Sequence, residues 1–530
     1  IEEIKKEEEG ELKDLKPLEQ LKFVDNKYVI ASLDNENTDF LLKNQLKKLW
    51  NKYLNKKFTL EEFKKEKGGG KNFNQVRDWF FKEYKDIKRI NPPSDYTFEA
   101  PNDMQKLFTL RLKNEKRYGN WSGTGAGKTL AAIFSGRYLN LKNTVIICNN
   151  STVSGWLKSS QVYFKNSNVF VKTKINLTDK ERIKFKYSII NKYAFKLPEN
   201  QFNYLILNYE TFQLGDGDLI VSEMLENNNI DYIILDEVQN VKQRSEKNES
   251  TRRNVINKLV IHSREKNPDL YVTAMSATPV INNLIEPKKL IELLTGEAHN
   301  ELKEKDSVAN GVEIYKYLTR LGLRYKPNYG IKVNKEIVES DGLHLTDKIV
   351  KVPKGASMKF EKVFLQTKLE SIKNYLKKGT LIYTYYVTGF LKQIGEFVGN
   401  LGFTFGYYTG NDKEGLDKFL EKEVDILIGS APVSTGVDGI QEVCDRIVPV
   451  ILPWTGAEFE QLIGRVNRQG SKFKKIDIYI PIVNVELGSK TWSYDKYRLK
   501  KIEYKSSLAD LAVDGEIPKS LSPSNSSLIE

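Results

Sequence analysis

Residues 123–129 read Gly-Thr-Gly-Ala-Gly-Lys-Thr, and the Leu-Ala-Ala-Ile at 130–133 begins a helical pattern. Glycines let backbone N–H groups close around phosphate oxygens, and the N-terminus of a helix adds partial positive charge. Lys128 is placed to reach the terminal phosphates, and the Thr129 hydroxyl is placed to hold Mg²⁺. The strict pattern has glycine at the position of Ser122, so this loop is a variant. The stretch predicts a phosphate-binding loop that leads into a helix.

Short apolar runs bounded by polar loops recur after this loop, which is typical of buried strands in a parallel sheet. The first set lies at 145–148, 205–207, 232–235 and 272–275. The second set lies at 380–383, 405–408, 426–428, 447–452 and 476–480. The stretches between the runs are long enough for helical crossovers. The sequence therefore predicts an α/β protein with two parallel-sheet domains in tandem.

Five segments are expected along the chain. Helical spacing of leucines at 41–54 predicts a helical N-terminal extension whose apolar face packs into a core. The glycines at 68–70 are expected to interrupt it. The Ser/Pro-rich C-terminal tail is expected to be disordered. The segments are 1–92, the helical N-terminal extension; 93–300, the first sheet domain; 301–360, a linker or insertion; 361–488, the second sheet domain; and 489–530, a helix and flexible tail.

The composition of the 530 residues is that of an ordinary soluble protein, with 83 Lys and Arg against 70 Asp and Glu and a net charge of +13. This balance favours a polyanionic partner such as nucleic acid. Cys148 and Cys444 are far apart, and His262, His299 and His344 form no metal-ligand spacing, so neither a zinc site nor a disulfide framework is expected. With no long apolar run and no signal peptide, we expect a reducing compartment and no membrane. The first residue is not Met, which indicates a piece of a longer or processed polypeptide.

Two carboxylates, Asp236 and Glu237, directly follow the apolar run at 232–235. A carboxylate at the end of a buried strand can lie beside a phosphate-binding loop and hold Mg²⁺. The adjacent Glu237 is placed to polarise an attacking water molecule. We therefore predict that these residues act together with Lys128.

Two later motifs also follow buried runs. Ser276-Ala277-Thr278-Pro279 comes after the run at 272–275, and the hydroxyls of Ser276 and Thr278 could report the state of a phosphate to a second ligand. In the second sheet domain, Arg465 and Arg468 are three residues apart and share one face of a helix. Both guanidinium groups could stabilise charge on a phosphate in a transition state.

Together these motifs, in this order, resemble those of superfamily 2 helicase-type ATPases, and further details are similar to the Swi/Snf-like branch. The resemblance covers residues 96–485. Trp454 stands seven residues before Gln461, as in that branch. The other segments that resemble branch motifs are 144–156 with Ser151 and Trp156, 208–211, 278–286, 408–410 with Phe419, and 434–439.

The resemblance implies two RecA-like domains that bind ATP and Mg²⁺ and act on DNA. It assigns the catalytic roles to Lys128, Asp236, Glu237, Arg465 and Arg468, and the metal to Thr129 and Asp236. The implied nucleotide contacts are Gln105, which would read adenine, and Gly123, Thr124, Gly125, Ala126, Gly127, Lys128, Thr129, Gly436 and Asp438. The implied nucleic-acid contacts are Ser151, Thr152, Tyr209, Thr211, Thr409, Ser434, Thr435 and Trp454. The implied coupling residues are Ser276 and Thr278.

The sequence departs from the branch at 122–123, 238–239, 455–456 and 471, where Ser-Gly, Val-Gln, Thr-Gly and Ser stand in place of the usual residues. None of these changes removes a group that handles phosphate. With these changes the chain resembles a bacterial, phage or viral relative of the branch, such as the motor of a restriction or defence system. The expected location is the cytoplasm, or the nucleus or virion for a viral or eukaryotic protein.

Three functions compete at this point. The first is an ATPase that tracks double-stranded DNA without separating its strands. The second is a strand-separating helicase on DNA or RNA, which would need a pin that the sequence does not reveal. The third is a nucleotide-gated assembly subunit whose ATPase switches a partner. Other subunits of a larger complex are possible partners in each case.

Overall fold

The computed structural model describes residues 21–24, 27–30, 35–65, 71–190, 195–213, 217–241, 250–353, 356–410, 412–487 and 490–516. The chain divides into two compact units, one comprising Ile1–Pro327 with Ser507–Glu530 and the other Asn328–Ser506. The glycines at 68–70 and the tail at 517–530, for which a helix break and disorder were expected, lie outside the described residues.

The first unit contains an eight-stranded sheet in which every neighbouring pair is parallel. The carboxyl ends of its strands therefore all meet one edge, where the functional residues are expected. In spatial order the strands are Gly322–Leu323, Gly119–Asn120, Tyr271–Met275, Tyr232–Asp236, Asn143–Cys148, Asn203–Asn208, Asn168–Val171 and Ser188–Ile189.

Helices cover this sheet, and the N-terminal extension packs into the same core. Leu42, Leu46 and Trp50 share one buried cluster with Ile146 and Cys148 of the sheet. The extension also contains an antiparallel hairpin, Leu21–Val24 with Lys27–Ile30. The helices are Asn35–Leu54, Leu60–Lys65, Lys71–Lys88, Asp103–Glu115, Lys128–Tyr138, Val153–Tyr163, Asp179–Lys184, Gly217–Asn227, Thr251–Lys266, Ile285–Thr295 and Val308–Leu321.

The second unit contains a seven-stranded sheet that is parallel except for one hairpin strand, Lys490–Trp492, paired with Lys475–Leu487. The other strands, in spatial order, are Lys332–Asp341, Lys475–Leu487, Arg446–Ile451, Thr380–Thr384, Ile426–Gly429 and Phe405–Tyr408. Its helices are Thr346–Val350, Ser357–Ile372, Leu391–Asn400, Glu414–Leu420, Ala431–Gly436, Gly456–Ile463 and the first part of Tyr494–Asp514. The last turns of Tyr494–Asp514 belong to the first unit.

The predicted α/β class, with two tandem RecA-like sheets and a helical N-terminal segment, is confirmed. All nine predicted apolar runs are strands; eight agree with their expected bounds within two residues, and the ninth, predicted at 476–480, extends over Lys475–Leu487. Residues 301–360 contain more regular structure than a linker, namely the helix Val308–Leu321 and the edge strand Lys332–Asp341. That strand is charged and largely exposed, so it lacks the apolar signature of a buried strand. The bounds of the five segments stay a prediction.

Several features limit the classes of site. Among the described helices, none is long and apolar enough to span a bilayer. Cys148 and Cys444 are both buried free thiols. In the part of the chain that the structure describes, no three His, Cys, Asp or Glu side chains are grouped to hold a metal ion.

Candidate nucleotide-binding site

The phosphate-binding loop joins strand Gly119–Asn120 to helix Lys128–Tyr138. Gly125 and Gly127 have φ angles of 75° and 84°, which only glycine adopts at little cost. Gly127 is the N-cap of the helix and supplies no side-chain hydrogen bond to it. No side chain of the cap residue therefore covers the start of this helix, and a helix N-terminus is where backbone N–H groups and the helix dipole favour a phosphate.

Lys128 lies against the loop that contains it. Its Nζ donates to the carbonyl oxygens of Ser122, at 2.8 Å, and Gly123, at 3.2 Å. These contacts keep the ammonium group at the loop, where a phosphate chain would bind. The next residue, Thr129, is half-buried in the first turn of the helix.

Gln105, predicted to read adenine, is buried beside the same loop. Its side-chain oxygen accepts from the N–H of Asn102 at 2.8 Å, and its own N–H donates to the Asn102 side chain at 3.0 Å. This capping box begins helix Asp103–Glu115. The Nε2 of Gln105 also donates to the carbonyl of Gly127 at 3.4 Å. Gln105 is thus tied to the phosphate-binding loop, and its contact with a base stays a prediction.

Asp236 ends strand Tyr232–Asp236 and is held from two sides. Trp156 Nε1 donates to its Oδ2 at 2.8 Å, and the Tyr209 hydroxyl donates to its backbone carbonyl at 2.7 Å. Burial, followed by the charge of Glu237, raises the pKa of Asp236 to about 7, while Trp156 and Lys128 act in the opposite direction. A carboxylate in such surroundings is short of positive charge, which a divalent cation would supply.

Glu237 has an unusual backbone for a residue with a side chain. Its φ and ψ are 49° and 52°, in the left-handed region, which costs about 1–3 kcal/mol and is concentrated at functional sites. Gln239 Nε2 donates to Glu237 Oε2 at 2.5 Å. Gln239 is one of the departures from the branch, so the residue that replaces the usual one orients the carboxylate.

The Ser276–Pro279 segment is connected to the strand that leads into the phosphate-binding loop. The Ser276 N–H donates to the carbonyl of Asn120 at 3.2 Å. The buried Ser276 hydroxyl accepts from the Thr278 N–H at 2.9 Å. These bonds place both predicted coupling residues at the same end of the sheet as Lys128.

The prediction that Arg465 and Arg468 share a helix face is wrong, because the helix Gly456–Ile463 ends before them and both lie in the turns that follow it. Both arginines nevertheless contact one segment of the second unit. Arg465 Nε donates to the Ser434 carbonyl at 2.8 Å, and its Nη1 donates to the Val437 carbonyl at 3.3 Å. Arg468 forms an ion pair with Asp438 at 2.5 Å, and the Asp438 side chain is 82% exposed. The predicted arginines and the predicted segment 434–439 are therefore in direct contact.

The predicted nucleic-acid contacts fall into two groups. Ser151 is exposed, and Thr152 and Trp454 are partly exposed. Tyr209, Thr211, Thr409 and Ser434 are buried, and the side chain of Thr435 lies outside the described part. The buried hydroxyls bond within the protein, such as Ser434 to the Ala431 carbonyl at 2.7 Å. Tyr209 supports Asp236, a role that the sequence did not reveal.

The residues present suit ATP and Mg²⁺. The loop and the carboxylate follow the carboxyl ends of two parallel strands, Gly119–Asn120 and Tyr232–Asp236, which are separated by one strand of the same sheet. Thr129 and Asp236 would offer a hydroxyl and a carboxylate oxygen, the hard donors that Mg²⁺ prefers. Few dedicated ligands are needed, because Mg²⁺ at such sites keeps several water molecules and binds substrate phosphates.

Two comparisons with known proteins show which family the chain resembles. The SNF2-related domain family matches residues 29–320, more than half of the chain. A protein named nucleoside triphosphatase I, from Melanoplus sanguinipes entomopoxvirus, is 31% identical over 202 residues. That similarity covers 36% of this chain and 27% of the viral protein, so it spans about a quarter of the relative's length.

Proposed function

This chain belongs to the SNF2-related family, and we propose that it is an ATP-dependent motor that hydrolyses ATP and moves along double-stranded DNA. The observation that carries the proposal is the arrangement of Lys128, Asp236 and Glu237 at one edge of the first sheet. The chain supplies there a loop with a lysine, a carboxylate that Trp156 holds, and a second carboxylate that Gln239 holds.

In this proposal, the loop N–H groups and Lys128 bind the phosphate chain of ATP. Thr129 and Asp236 hold Mg²⁺, which when bound would neutralise charge on the terminal phosphates. Trp156 and Tyr209 keep Asp236 in place through bonds of 2.8 and 2.7 Å. These groups position the substrate, which is the larger part of catalysis in phosphoryl transfer.

Glu237 orients the attacking water in this scheme. Its left-handed backbone and the bond from Gln239 fix the carboxylate in one direction. Arg465 and Arg468 stabilise the charge that develops on the transferred phosphate, and Ser276 and Thr278 relay the phosphate state to the nucleic acid. Such arginines are worth about 10³–10⁵-fold in kcat in related chemistry.

Duplex DNA is the proposed track because of the Swi/Snf-like resemblance and the net charge of +13. Ser151, Thr152 and Trp454 are the predicted contacts that are exposed to solvent at least in part. Contacts of this kind touch phosphates and sugars, so the base sequence should matter little. A role as the motor of a restriction or defence system is one biological setting, and the viral relative supports a viral origin as an alternative.

The test is steady-state ATP hydrolysis with no nucleic acid, duplex DNA, single-stranded DNA or RNA. We expect duplex DNA to give the strongest stimulation. Equal or stronger stimulation by single strands, together with strand displacement, would favour a helicase. If no nucleic acid changes the rate, the motor proposal is wrong and the nucleotide-gated assembly subunit replaces it. Glu237→Gln is the catalytic control, and Glu210→Gln, an exposed carboxylate on the neighbouring segment, is its matched surface control.

A further inference from the structure

Residues 322–326 run beside the strand that enters the phosphate-binding loop. Gly322 and Leu323 pair with the strand Gly119–Asn120. The pairing continues past the end of that strand, because Trp121 N–H donates to the Leu323 carbonyl and Gly123 N–H donates to the Tyr325 carbonyl, both at 2.8 Å. The contact therefore reaches the first glycine of the loop.

Arg324, in the middle of this segment, uses four of its five N–H donors. Its Nη1 donates to the carbonyls of Trp121, at 2.6 Å, and Ala277, at 3.1 Å. Its Nε and Nη2 donate to the two carboxylate oxygens of Asp514 at 2.9 and 2.8 Å. One guanidinium thus joins the approach to the phosphate-binding loop, the Ser276–Pro279 segment and the end of the C-terminal helix.

The ion pair is well protected from water, with side-chain exposures of 10% for Arg324 and 12% for Asp514. Burial alone would raise the pKa of Asp514, but the charge and hydrogen bonds of Arg324, with a smaller effect of Lys47, hold it well below its usual range. A bidentate pair of this kind fixes the plane of the guanidinium group. Asp514 therefore sets the direction in which Arg324 presents its Nη1 donors.

Side chains of the N-terminal extension hold the backbone of the same segment. Asn51 Nδ2 donates to the Arg324 carbonyl at 2.7 Å, and the Lys326 N–H donates to Asn51 Oδ1 at 3.0 Å. Asn55 Nδ2 donates to the Lys326 carbonyl at 3.0 Å. The backbone of Arg324 is thus anchored independently of its side chain. A change of the side chain alone leaves these backbone bonds in place and alters the links of Arg324 to Trp121, Ala277 and Asp514.

We propose that Arg324 is a positioning residue, oriented by Asp514, that couples the phosphate-binding loop to the Ser276–Pro279 segment. Because one group bonds both Trp121 and Ala277, a shift of either segment on nucleotide binding must move the other or break a charge-assisted hydrogen bond. The proposal rests on the proposed function, since it assigns Arg324 a part in transmitting the phosphate state to nucleic acid.

The test compares Arg324→Lys and Asp514→Asn with wild type. Lysine keeps the charge but loses the planar fork that spans three partners. Asparagine keeps the shape but loses the charge that aligns Arg324. Steady-state kinetics with and without duplex DNA give KM for ATP, kcat and the stimulation ratio. We expect Arg324→Lys to raise the KM and to lower the stimulation ratio, each by about tenfold, within the range in which small misplacements reduce rates.

Asp514→Asn should cause the same two changes to a smaller extent, and the double variant should be no worse than Arg324→Lys, because the residues act as one unit. Asp514→Glu should retain most of the wild-type behaviour. Matched controls are Arg320→Ala and Glu516→Gln, both exposed and close in sequence. A merely structural role would lower thermal stability and the amount of active protein but leave the KM unchanged.

Wild-type KM and stimulation ratio in both Arg324→Lys and Asp514→Asn would overturn the proposal, as would full additivity in the double variant. Failure of the proposed function and failure of this proposal give different results, because the first is read from wild type and the second from the variants. If nucleic acids do not stimulate wild type, the motor function is wrong, and Arg324 is then judged by the KM for ATP alone. An unchanged KM in Arg324→Lys would then reject its positioning role.

Discussion

The carboxylates of the first unit and the arginines of the second unit are held in different ways. Asp236 and Glu237 each accept a hydrogen bond from a neutral side chain to which no contact with phosphate is assigned. Trp156 donates to Asp236, and Gln239 donates to Glu237. Arg465, in contrast, bonds backbone carbonyls, and Arg468 pairs with a carboxylate that is 82% exposed. The carboxylates are therefore preorganised, whereas Arg468 has a weak partner that an anionic ligand could replace.

This difference indicates how the two sets of residues contribute to catalysis and to stability. Preorganised groups avoid reorganisation during the reaction and contribute most to catalysis. An exposed ion pair contributes little to stability because water and salt screen it. We therefore expect the first unit to bind and orient the nucleotide, and the arginines of the second unit to stabilise the charge of the transition state at small structural cost.

The largest expected effect is from Arg465→Ala, which should lower kcat by about 10³-fold. ATP binding to this variant should persist, because Lys128 and the phosphate-binding loop are unchanged. Fluorescent-nucleotide titration and steady-state hydrolysis measure the two quantities. Gln469→Ala, an exposed change on the following turn, is the control and should be close to wild type. Loss of nucleotide binding in Arg465→Ala would break the division of labour between the units.

Lys128→Ala should weaken ATP binding by about 10²-fold, because it removes the charge that the loop carbonyls of Ser122 and Gly123 hold in place. The same titration tests it, with the exposed Lys113→Ala as the control. Nucleotide affinity within threefold of wild type would show that the loop does not bind the phosphates.

Both sheets and the phosphate-binding loop are predictable from the sequence, because buried parallel strands and such loops have local signatures. The apolar runs at 145–148 and 232–235 are strands, and Asp236 lies where the pattern predicts. The edge strand Lys332–Asp341 has no such signature, because only one side of it pairs and its side chains are largely exposed and half of them charged. Its partner, Lys475–Leu487, is far away in the sequence.

The supporting contacts of the site were not predictable in the same way. Trp156 and Tyr209 resemble motif residues, but their bonds to Asp236 depend on the order of strands in the sheet. Arg324 lies in a segment expected to be a linker, and Asp514 is distant in sequence. Nothing local distinguishes this arginine from a surface residue. Such contacts arise from tertiary structure alone.

Trp156→Phe sharpens the comparison because it removes one hydrogen bond and little volume. Without the Nε1 donor, Asp236 loses a group that stabilises its charged form. We expect the Mg²⁺ concentration for half-maximal hydrolysis to rise about tenfold, with a smaller loss of kcat at saturating Mg²⁺. Tyr163→Phe, on the same helix, serves as the control. A Mg²⁺ dependence equal to that of wild type would contradict the role of Trp156 as a support of a metal ligand.

Asp438→Asn is the corresponding change in the second unit, and we expect it to alter kcat by at most about threefold. The pair with Arg468 is exposed, so its loss should cost little. Hydrolysis measured at low and high salt checks this, since the small effect should disappear at high salt. A loss of hydrolysis as large as that of Arg465→Ala would instead support the nucleotide contact that the family resemblance implies for Asp438.

The smallest expected effect concerns stability near the Arg324 pair. Burial, with Arg324 and Lys48 acting in the same direction and Asp514 against them, lowers the pKa of Lys47 from 10.5 to about 7. Between these pH values the unfolded chain binds a proton that the folded protein does not. The contribution of Lys47 to the free energy of unfolding should therefore increase from pH 7 towards 10.5 and be constant below pH 7.

Urea unfolding at pH 7, 8 and 9 checks this prediction in wild type and Lys47→Met. The contribution of Lys47 should raise the urea midpoint of wild type from pH 7 to pH 9. Lys47→Met should lack this contribution, so its midpoint should rise less over the same range. Lys43→Met, on the same helix and with a partly exposed ion pair to Asp39, is the control and should keep the wild-type slope. An identical pH dependence in wild type and Lys47→Met would contradict the lowered pKa.

The most direct test of the central proposal is displacement of a third strand from triplex DNA, with wild type and Glu237→Gln compared at saturating ATP and Mg²⁺. A motor that moves along duplex DNA should displace the strand without separating the duplex, and Glu237→Gln should bind ATP and DNA yet displace none. Hydrolysis stimulated by duplex DNA but without displacement by wild type would contradict translocation, and equal displacement by Glu237→Gln would show that hydrolysis does not drive it.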